Sequence, residues 1–227
     1  MQVKILSWNI WLDGDLEAVI AFVRNSEADI IGMQEVIPER EPNILDAMTA
    51  LGYQHSFAKV TELHKDGKEM GNAIFSRFPI VESKTHTLSD EERRLAEEAT
   101  IDVEGIQLHV FNTHLLHTHQ KQSGVQDSQV KTLVGLLPTE NTIVMGDFNA
   151  IPQSSVIQKM EGLLVNTDPS HAPTWSTDPA GCSGCDVHGV TVRLDYIFAS
   201  RDLATRSPLV YDSKASDHLP VSCIIEL

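Results

Sequence analysis

No run of apolar residues in this 227-residue chain approaches the ~18 that a membrane-crossing helix needs, so no helical span is expected. No stretch reads as an interdomain linker, and a single domain over 1–227 is expected. The opening residues Met1-Gln2-Val3-Lys4-Ile5 start an alternating strand and lack the charged and apolar regions of a secretory leader, which points to a cytoplasmic location. Cysteine is scarce. Cys182, Cys185 and Cys223 are too few for a disulfide framework and suit a reducing compartment. Basic residues are scarce too, with 17 Lys and Arg against 32 Asp and Glu and a net charge of −15. That field repels nucleic-acid phosphates at long range and offers no basic stripe for a duplex. It leaves a phosphate substrate open, because a bound divalent cation inverts the local field.

What is present is a core-forming 41% of hydrophobic residues arranged in strand and helix periods. A buried strand runs from the N-terminus to Asn9. Leu16, Val19, Ile20 and Val23 then recur at helical spacing, with Asp13 or Asp15 placed to cap. An apolar run over 29–36 ends near Glu35. A second helix carries Ile44, Leu45, Met48 and Leu51 and stops at Gly52. Strands are expected over 72–76, 80–88, 100–103 and 106–112, the last two joined by the tight turn Glu104-Gly105, and 91–98 reads as a charged surface stretch. The second half supplies a helix over 125–137, a buried strand over 142–147, a short helix or turn over 156–164, a long loop over 168–189 and closing strands over 190–199 and 219–227. Many strands with a few interspersed helices imply two packed sheets with helices outside, a layered α/β sandwich.

Polar residues gather where apolar strands run out: Asn9, Glu35, His114, Asp147 with Asn149, and Asp217 with His218. Each alone has a plain structural explanation in turn or edge hydrogen bonding. Together they suit a site, because strand ends place side chains firmly while leaving them open to solvent. The halves also echo one another. Trp8-Asn9 answers Gly146-Asp147, Asn72 before an apolar strand answers Asp195, and His114 answers His218, which suggests a pseudo-two-fold pair of sheets meeting at one site.

Ser7-Trp8-Asn9, Gln34-Glu35-Val36, Gly71-Asn72-Ala73-Ile74-Phe75-Ser76, Asn112-Thr113-His114-Leu115, Gly146-Asp147-Phe148-Asn149, Arg193-Leu194-Asp195-Tyr196-Ile197 and Ser216-Asp217-His218-Leu219-Pro220 run from 7 to 220. In this order they resemble the signatures of the endonuclease/exonuclease/phosphatase superfamily, with the GDFN and SDHLP pieces the most diagnostic. The resemblance implies a four-layer αββα sandwich that hydrolyses a phosphodiester or phosphomonoester with one or two divalent metals.

A phosphoester repels hydroxide, so its hydrolysis needs charge neutralisation and an oriented water. Under the resemblance Glu35, helped by Asn9, supplies hard oxygen ligands to Mg2+, with Mn2+ as a substitute and Asp217 as a further ligand. Asp147 positions or deprotonates water, and Asn149 holds that water or a phosphate oxygen. His218 contacts the scissile phosphate, its ring oriented by Asp195. Asn72 and His114 bind phosphate from the first half, His117 lines the pocket, and Trp175 borders it or pins the long loop. Whether Asp147 or His218 is the base stays open. Glu69 is a candidate carboxylate partner for His114, or simply a surface acid.

Other signals are weaker. His114, His117 and His119 alternate in a way that could converge on zinc, and Cys182-x-x-Cys185 followed by His188 resembles half a zinc knuckle, but no second such pair exists. Arg93 and Arg94 could bind substrate phosphate, but they lie among five acids between 90 and 98, the pattern of a solvated charged face. Gln126 and Gln129 stand where relatives often show Arg ahead of Gln, which weakens the case for substrate contacts from that helix. A small soluble phosphoester is therefore the expected substrate. Nucleic acid is disfavoured by charge, a sphingomyelinase-type activity lacks its apolar membrane hairpin, and a non-catalytic module would be expected to have lost some of Glu35, Asp147, Asp195, Asp217 and His218.

Overall fold

A computed structural model describes residues 1–62, 67–89, 93–177, 185 and 189–227. Two six-stranded sheets face each other. The first runs β11(Ala204–Val210)-β12(Val221–Glu226)-β1(Gln2–Asn9)-β2(Ile30–Val36)-β4(Glu69–Ser76)-β3(Gln54–Glu62). The second runs β5(Ile80–Ser89)-β6(Arg94–Val103)-β7(Ile106–His114)-β8(Thr142–Asp147)-β10(Asp195–Ala199)-β9(Val165–Asn166). Helices α1(Leu16–Ser26) and α2(Ile44–Ala50) cover the outer face of the first sheet, and α3(Gly124–Leu136) and α4(Ser155–Leu163) that of the second. This is the four-layer αββα sandwich expected. No described helix is long and apolar enough to cross a membrane.

The period-2 alternation of the strands builds the layers. Val3 and Ile5 of β1 meet Val110 of β7 and Ile143 and Met145 of β8 in a dry core between the sheets. Leu6 and Trp8, one residue out of phase, pack under α1 and α2. Phe111, Val144, Tyr196 and Phe198 do the same under α3 and α4. Asp15, Asn43, Ser123 and Ser154 cap the four helices by accepting from first-turn amides.

Both sheets show the same succession of pairings, two antiparallel, one parallel and two antiparallel. The parallel pair is β1 with β2 in one and β7 with β8 in the other. The pseudo-two-fold expectation therefore holds with a correction. β8 corresponds to β2 rather than β1, so Asp147 answers Glu35 and His114 answers Asn9. Only the match of Asn72 with Asp195 stands as read. His218 lies in the loop before β12, not at a strand end.

Three strands escape the sequence reading: β3, β9 and β11. β3 and β11 are the edges of the first sheet, and β9 is a two-residue edge of the second. Edge strands bury too little to carry a clean alternation, and β11 is further broken by a register shift between Arg206 and Leu209, where Pro208 interrupts the donors. The stretch read as charged surface is also corrected. From Arg94 onward it is β6, and Glu97 is 1% exposed, turned toward the first sheet. Positions 91 and 92 lie outside the described residues.

Candidate active site

In five strands the polar residue is in phase with the apolar residues of the inter-sheet core. Asn9 follows Val3 and Ile5, Asn72 precedes Ile74, His114 follows Leu108 and Val110, Asp147 follows Ile143 and Met145, and Asp195 precedes Ile197 and Ala199. The alternation that fills the core thus aims five polar groups into the gap at one end of the sandwich. Register keeps them together, with Asp147 opposite His114 on β7 and opposite Asp195 on β10. Glu35 is out of phase with Ile30. A register shift between Met33 and Val36 and a positive φ of 59° at Glu35 turn its side chain back to the site.

Asp147, 1% exposed, is the hub. Its Oδ1 accepts from the Asn149 amide at 2.8 Å and its Oδ2 from Asn9 Nδ2 at 3.0 Å. His114 Nε2 and His218 Nε2 lie 3.4 and 3.6 Å from the same Oδ2. Asn9 Nδ2 also donates to Glu35 Oε1 at 3.0 Å, so two carboxylates from opposite sheets converge on one amide. The other Glu35 oxygen accepts from the Leu12 amide at 2.8 Å.

His218 is fixed from behind. Asp195 Oδ2 is 2.9 Å from its Nδ1 and also accepts from Thr174 Oγ1 at 2.6 Å, so the Nε2 edge points at Asp147 and the cleft. The backbone of its loop is held as well, by Trp8 Nε1 to the His218 carbonyl at 2.9 Å and by Ser216 Oγ to the Asn9 carbonyl at 2.8 Å. Burial alone would lower the His218 pKa, but Asp195 and Asp147 outweigh it and raise the value. Burial is the main cause that raises Asp147, with the His218 cation and the Asn9 and Asn149 donors opposing. His114 is driven well below the ordinary range, first by burial and then by Arg94 and the other two imidazoles, so its ring is neutral. Burial raises Asp217, with Glu35 adding to it and His218 opposing.

These groups open on a cleft of about 300 Å³. Glu35, Asp147, Asp217 and His218 line its acidic floor, and Trp11, Met70 and Trp175 its apolar walls. Trp175 is tied to its neighbours and also faces the cleft. Its backbone bridges Val192 and His218, and its Nε1 lies 3.3 Å from Asp217 Oδ2 while the ring walls the cleft. Asn72, 1% exposed, lies beneath the floor beside Glu35 and His114, and its Nδ2 has no hydrogen-bond partner among the described residues. Asn149 is largely committed to the scaffold. Nδ2 donates to the Leu115 carbonyl at 3.1 Å and Oδ1 is 2.7 Å from His117 Nδ1.

Arg94, which the sequence reading set on a solvated face in preference to phosphate binding, belongs to the cleft. It lines the cleft and faces the His114 carbonyl at 3.5 Å, because it opens β6, the neighbour of β7, instead of lying on a solvated face. Glu69 pairs with Lys59 at 3.0 Å on the surface, and the carboxylate beside His114 is Asp147. Gln126 and Gln129 are buried braces. Gln126 Nε2 donates to the carbonyls of Leu116, Phe148 and Asn149, and Gln129 accepts from the Leu116 amide. Cys182 and His188 lie outside the described residues. Cys185 is disulfide-bonded and sits against His117 and His119.

On the floor of the cleft, two sets of described side chains could hold a cation. Asp147, Asp195 and His218 bring ligand atoms within 4.8 Å of one another. There, however, Asp195 and the His218 ring already satisfy each other. Glu35, Asp147 and Asp217, which line the cleft, form with Asn9 a set of hard oxygen donors, and one Asn9 amide bridges the Glu35 and Asp147 carboxylates. That donor chemistry fits a hard divalent ion. Asn9 would join as a ligand with its amide turned to present Oδ1, which now accepts from the Trp11 amide at 3.0 Å.

A family model described as Endonuclease/Exonuclease/phosphatase family matches residues 6–218. No curated protein matches the chain. Among solved structures, an endonuclease/exonuclease/phosphatase from Beutenbergia cavernae superposes with a TM-score of 0.78 at 21% identity, covering 100% of this chain and 72% of that one. The human Nocturnin catalytic domain with bound sulfate gives 0.74 at 22% identity, over 99% and 94% of the two chains. ANGEL2, a 2′,3′-cyclic phosphatase in complex with adenosine-2′,3′-vanadate, gives 0.75 at 15% identity, over 99% and 95%.

Proposed function

Because the chain belongs to the endonuclease/exonuclease/phosphatase family, we propose that it is a divalent-cation-dependent hydrolase of a small soluble phosphoester. The observation that carries this is the line Thr174–Asp195–His218 aimed, together with Asp147, into a cleft whose floor gathers hard oxygen donors. A cleft of about 300 Å³ is at the small-molecule end of ligand sites. With a net charge of −15 it suits a compact phosphoester better than a duplex.

A Mg2+ or Mn2+ ion held by Glu35, Asn9 and Asp217 would neutralise phosphate charge. Asp147 orients the attacking water and accepts its proton, with the remaining amide hydrogen of Asn149 for that water or a phosphate oxygen. His218, oriented by Asp195 and held cationic, presents Nε2–H to the scissile phosphate, where negative charge develops. Neutral His114 donates from its ring to the same region. Asn72 and Arg94 bind phosphate oxygens, His117 borders the cleft, and Trp175 supplies an apolar wall for the rest of the substrate.

The test is turnover of bis-p-nitrophenyl phosphate and p-nitrophenyl phosphate with and without Mg2+ or Mn2+, wild type beside Glu35→Gln and His218→Ala. Metal-dependent turnover should fall by at least about a hundredfold in both variants. Full Mg2+-dependent turnover by Glu35→Gln would remove Glu35 from the ligand set. Unchanged kcat in His218→Ala would remove His218 from the reaction.

A further inference from the structure

Outside the acidic floor, His117, His119 and Cys185 place one ligand atom each within 4.8 Å of one another. Cys185 Sγ is 3.2 Å from His119 Nδ1 and 3.5 Å from His117 Nε2. In a tetrahedral zinc site, with Zn–S about 2.3 Å and Zn–N about 2.0–2.1 Å, sulfur and nitrogen ligands stand about 3.5 Å apart. The two sulfur–nitrogen distances are close to that separation.

The tautomer of His117 agrees. Asn149 Nδ2 donates to the Leu115 carbonyl, which leaves Oδ1 facing His117 Nδ1 at 2.7 Å. An amide oxygen only accepts, so Nδ1 carries the proton and Nε2, on the Cys185 side, presents a lone pair. A histidine whose far nitrogen donates to a fixed oxygen is the usual support of a metal ligand. The ring of His119 meets that of His117 edge-on with centroids 4.7 Å apart, so both histidines face Cys185 from one short segment after β7.

We propose that, once Cys185 is reduced, His117 Nε2, His119 Nδ1 and the Cys185 thiolate form a site for a borderline-soft divalent ion such as Zn2+, distinct from the oxygen-donor floor. His117 also lines the cleft above the acidic floor. Because Asn149 meets His117 through its Oδ1 and Asp147 through its backbone amide, an ion there is one residue away from the reaction floor. Cys185 is disulfide-bonded in the structure, and a disulfide sulfur is not a thiolate ligand. A phosphine supplies the two electrons that open the bond. Water supplies the two protons for the thiols and the oxygen that ends on phosphorus. Ligation then releases the thiol proton of Cys185.

The experiment titrates Co2+, a spectroscopic stand-in for Zn2+, into the full chain after phosphine reduction and removal of metal. One equivalent should produce a thiolate-to-cobalt charge-transfer band that Zn2+ abolishes and that is absent without phosphine. Cys185→Ser should abolish the band. His119→Ala, a change at an exposed position, should weaken Co2+ binding more than tenfold. Glu35→Gln should leave the band intact, which separates this site from the proposed reaction site. No band in the reduced wild type overturns the proposal. So does a band that survives Cys185→Ser, is unmoved by His119→Ala, or disappears in Glu35→Gln.

Discussion

Replacing Glu97 by Gln should reverse part of the dependence of stability on pH. Glu97 is 1% exposed on β6, between the sheets, and burial pushes its carboxyl well above the ordinary range, offset in part by the side chain of Ser56 on β3. The unfolded chain ionises this group near the ordinary Glu value, about 4.3, while the folded chain keeps the proton to higher pH. Between those two values the folded state binds one proton more than the unfolded state. Stability therefore falls as pH rises, by about 1.4 kcal/mol per pH unit from this group alone. Gln cannot titrate. Its buried amide adds an offset that does not vary with pH, and every other ionisable group is common to both proteins. The difference in unfolding free energy, Glu97→Gln minus wild type, should thus climb by about 1.4 kcal/mol per unit above pH ~4.3 and level off at the folded pKa. In melting temperature that is roughly 3–6 °C per unit for a chain of this size. Denaturant unfolding of both proteins at half-unit steps from pH 4 to 8 measures it. Parallel stability curves would refute the reasoning, because they would mean that Glu97 ionises alike in both states.

Asp195→Asn should bring the His218 titration down, since burial then acts with less opposition; ring proton NMR on metal-free protein follows it, and an unmoved midpoint would remove Asp195 as the cause. The same substitution removes stability that is fully present below about pH 6.5 and lost as pH rises through the raised folded value of His218, so the two stability profiles should converge on the alkaline side. Arg94→Ala should lower kcat/KM roughly 10- to 100-fold, the worth of a charged hydrogen bond to phosphate, with KM carrying most of it; steady-state kinetics decide, and an unchanged value returns Arg94 to a structural role. Gly146→Ala should cost about 3 kcal/mol or more by denaturant unfolding, because φ is 146° and a Cβ would stand 1.9 Å from the Thr113 carbonyl oxygen; an unaffected protein would show that β7 yields freely there.

By itself the sequence determined the layers and most of the floor. Alternation sorts Val3 and Ile5 from Leu6 and Trp8, and the same phase carries Asn9, His114 and Asp147 to the inter-sheet side at strand ends. Local periodicity and motif order are properties of contiguous residues, so they can be read along the chain. The edge strands β3 and β11 were not legible, because a half-solvated strand bears little pattern. Nor was Arg94, whose membership of the cleft follows from the pairing of β6 with β7 and not from its acidic neighbours. Only the tertiary structure matched β8 with β2, gave His114 the carboxylate of Asp147 in place of Glu69, and joined two weak signals, the alternating histidines and Cys185, in one cluster. Those facts depend on which distant strands and loops come to share one edge. Register and loop closure set that, and neither is written in any single stretch of residues.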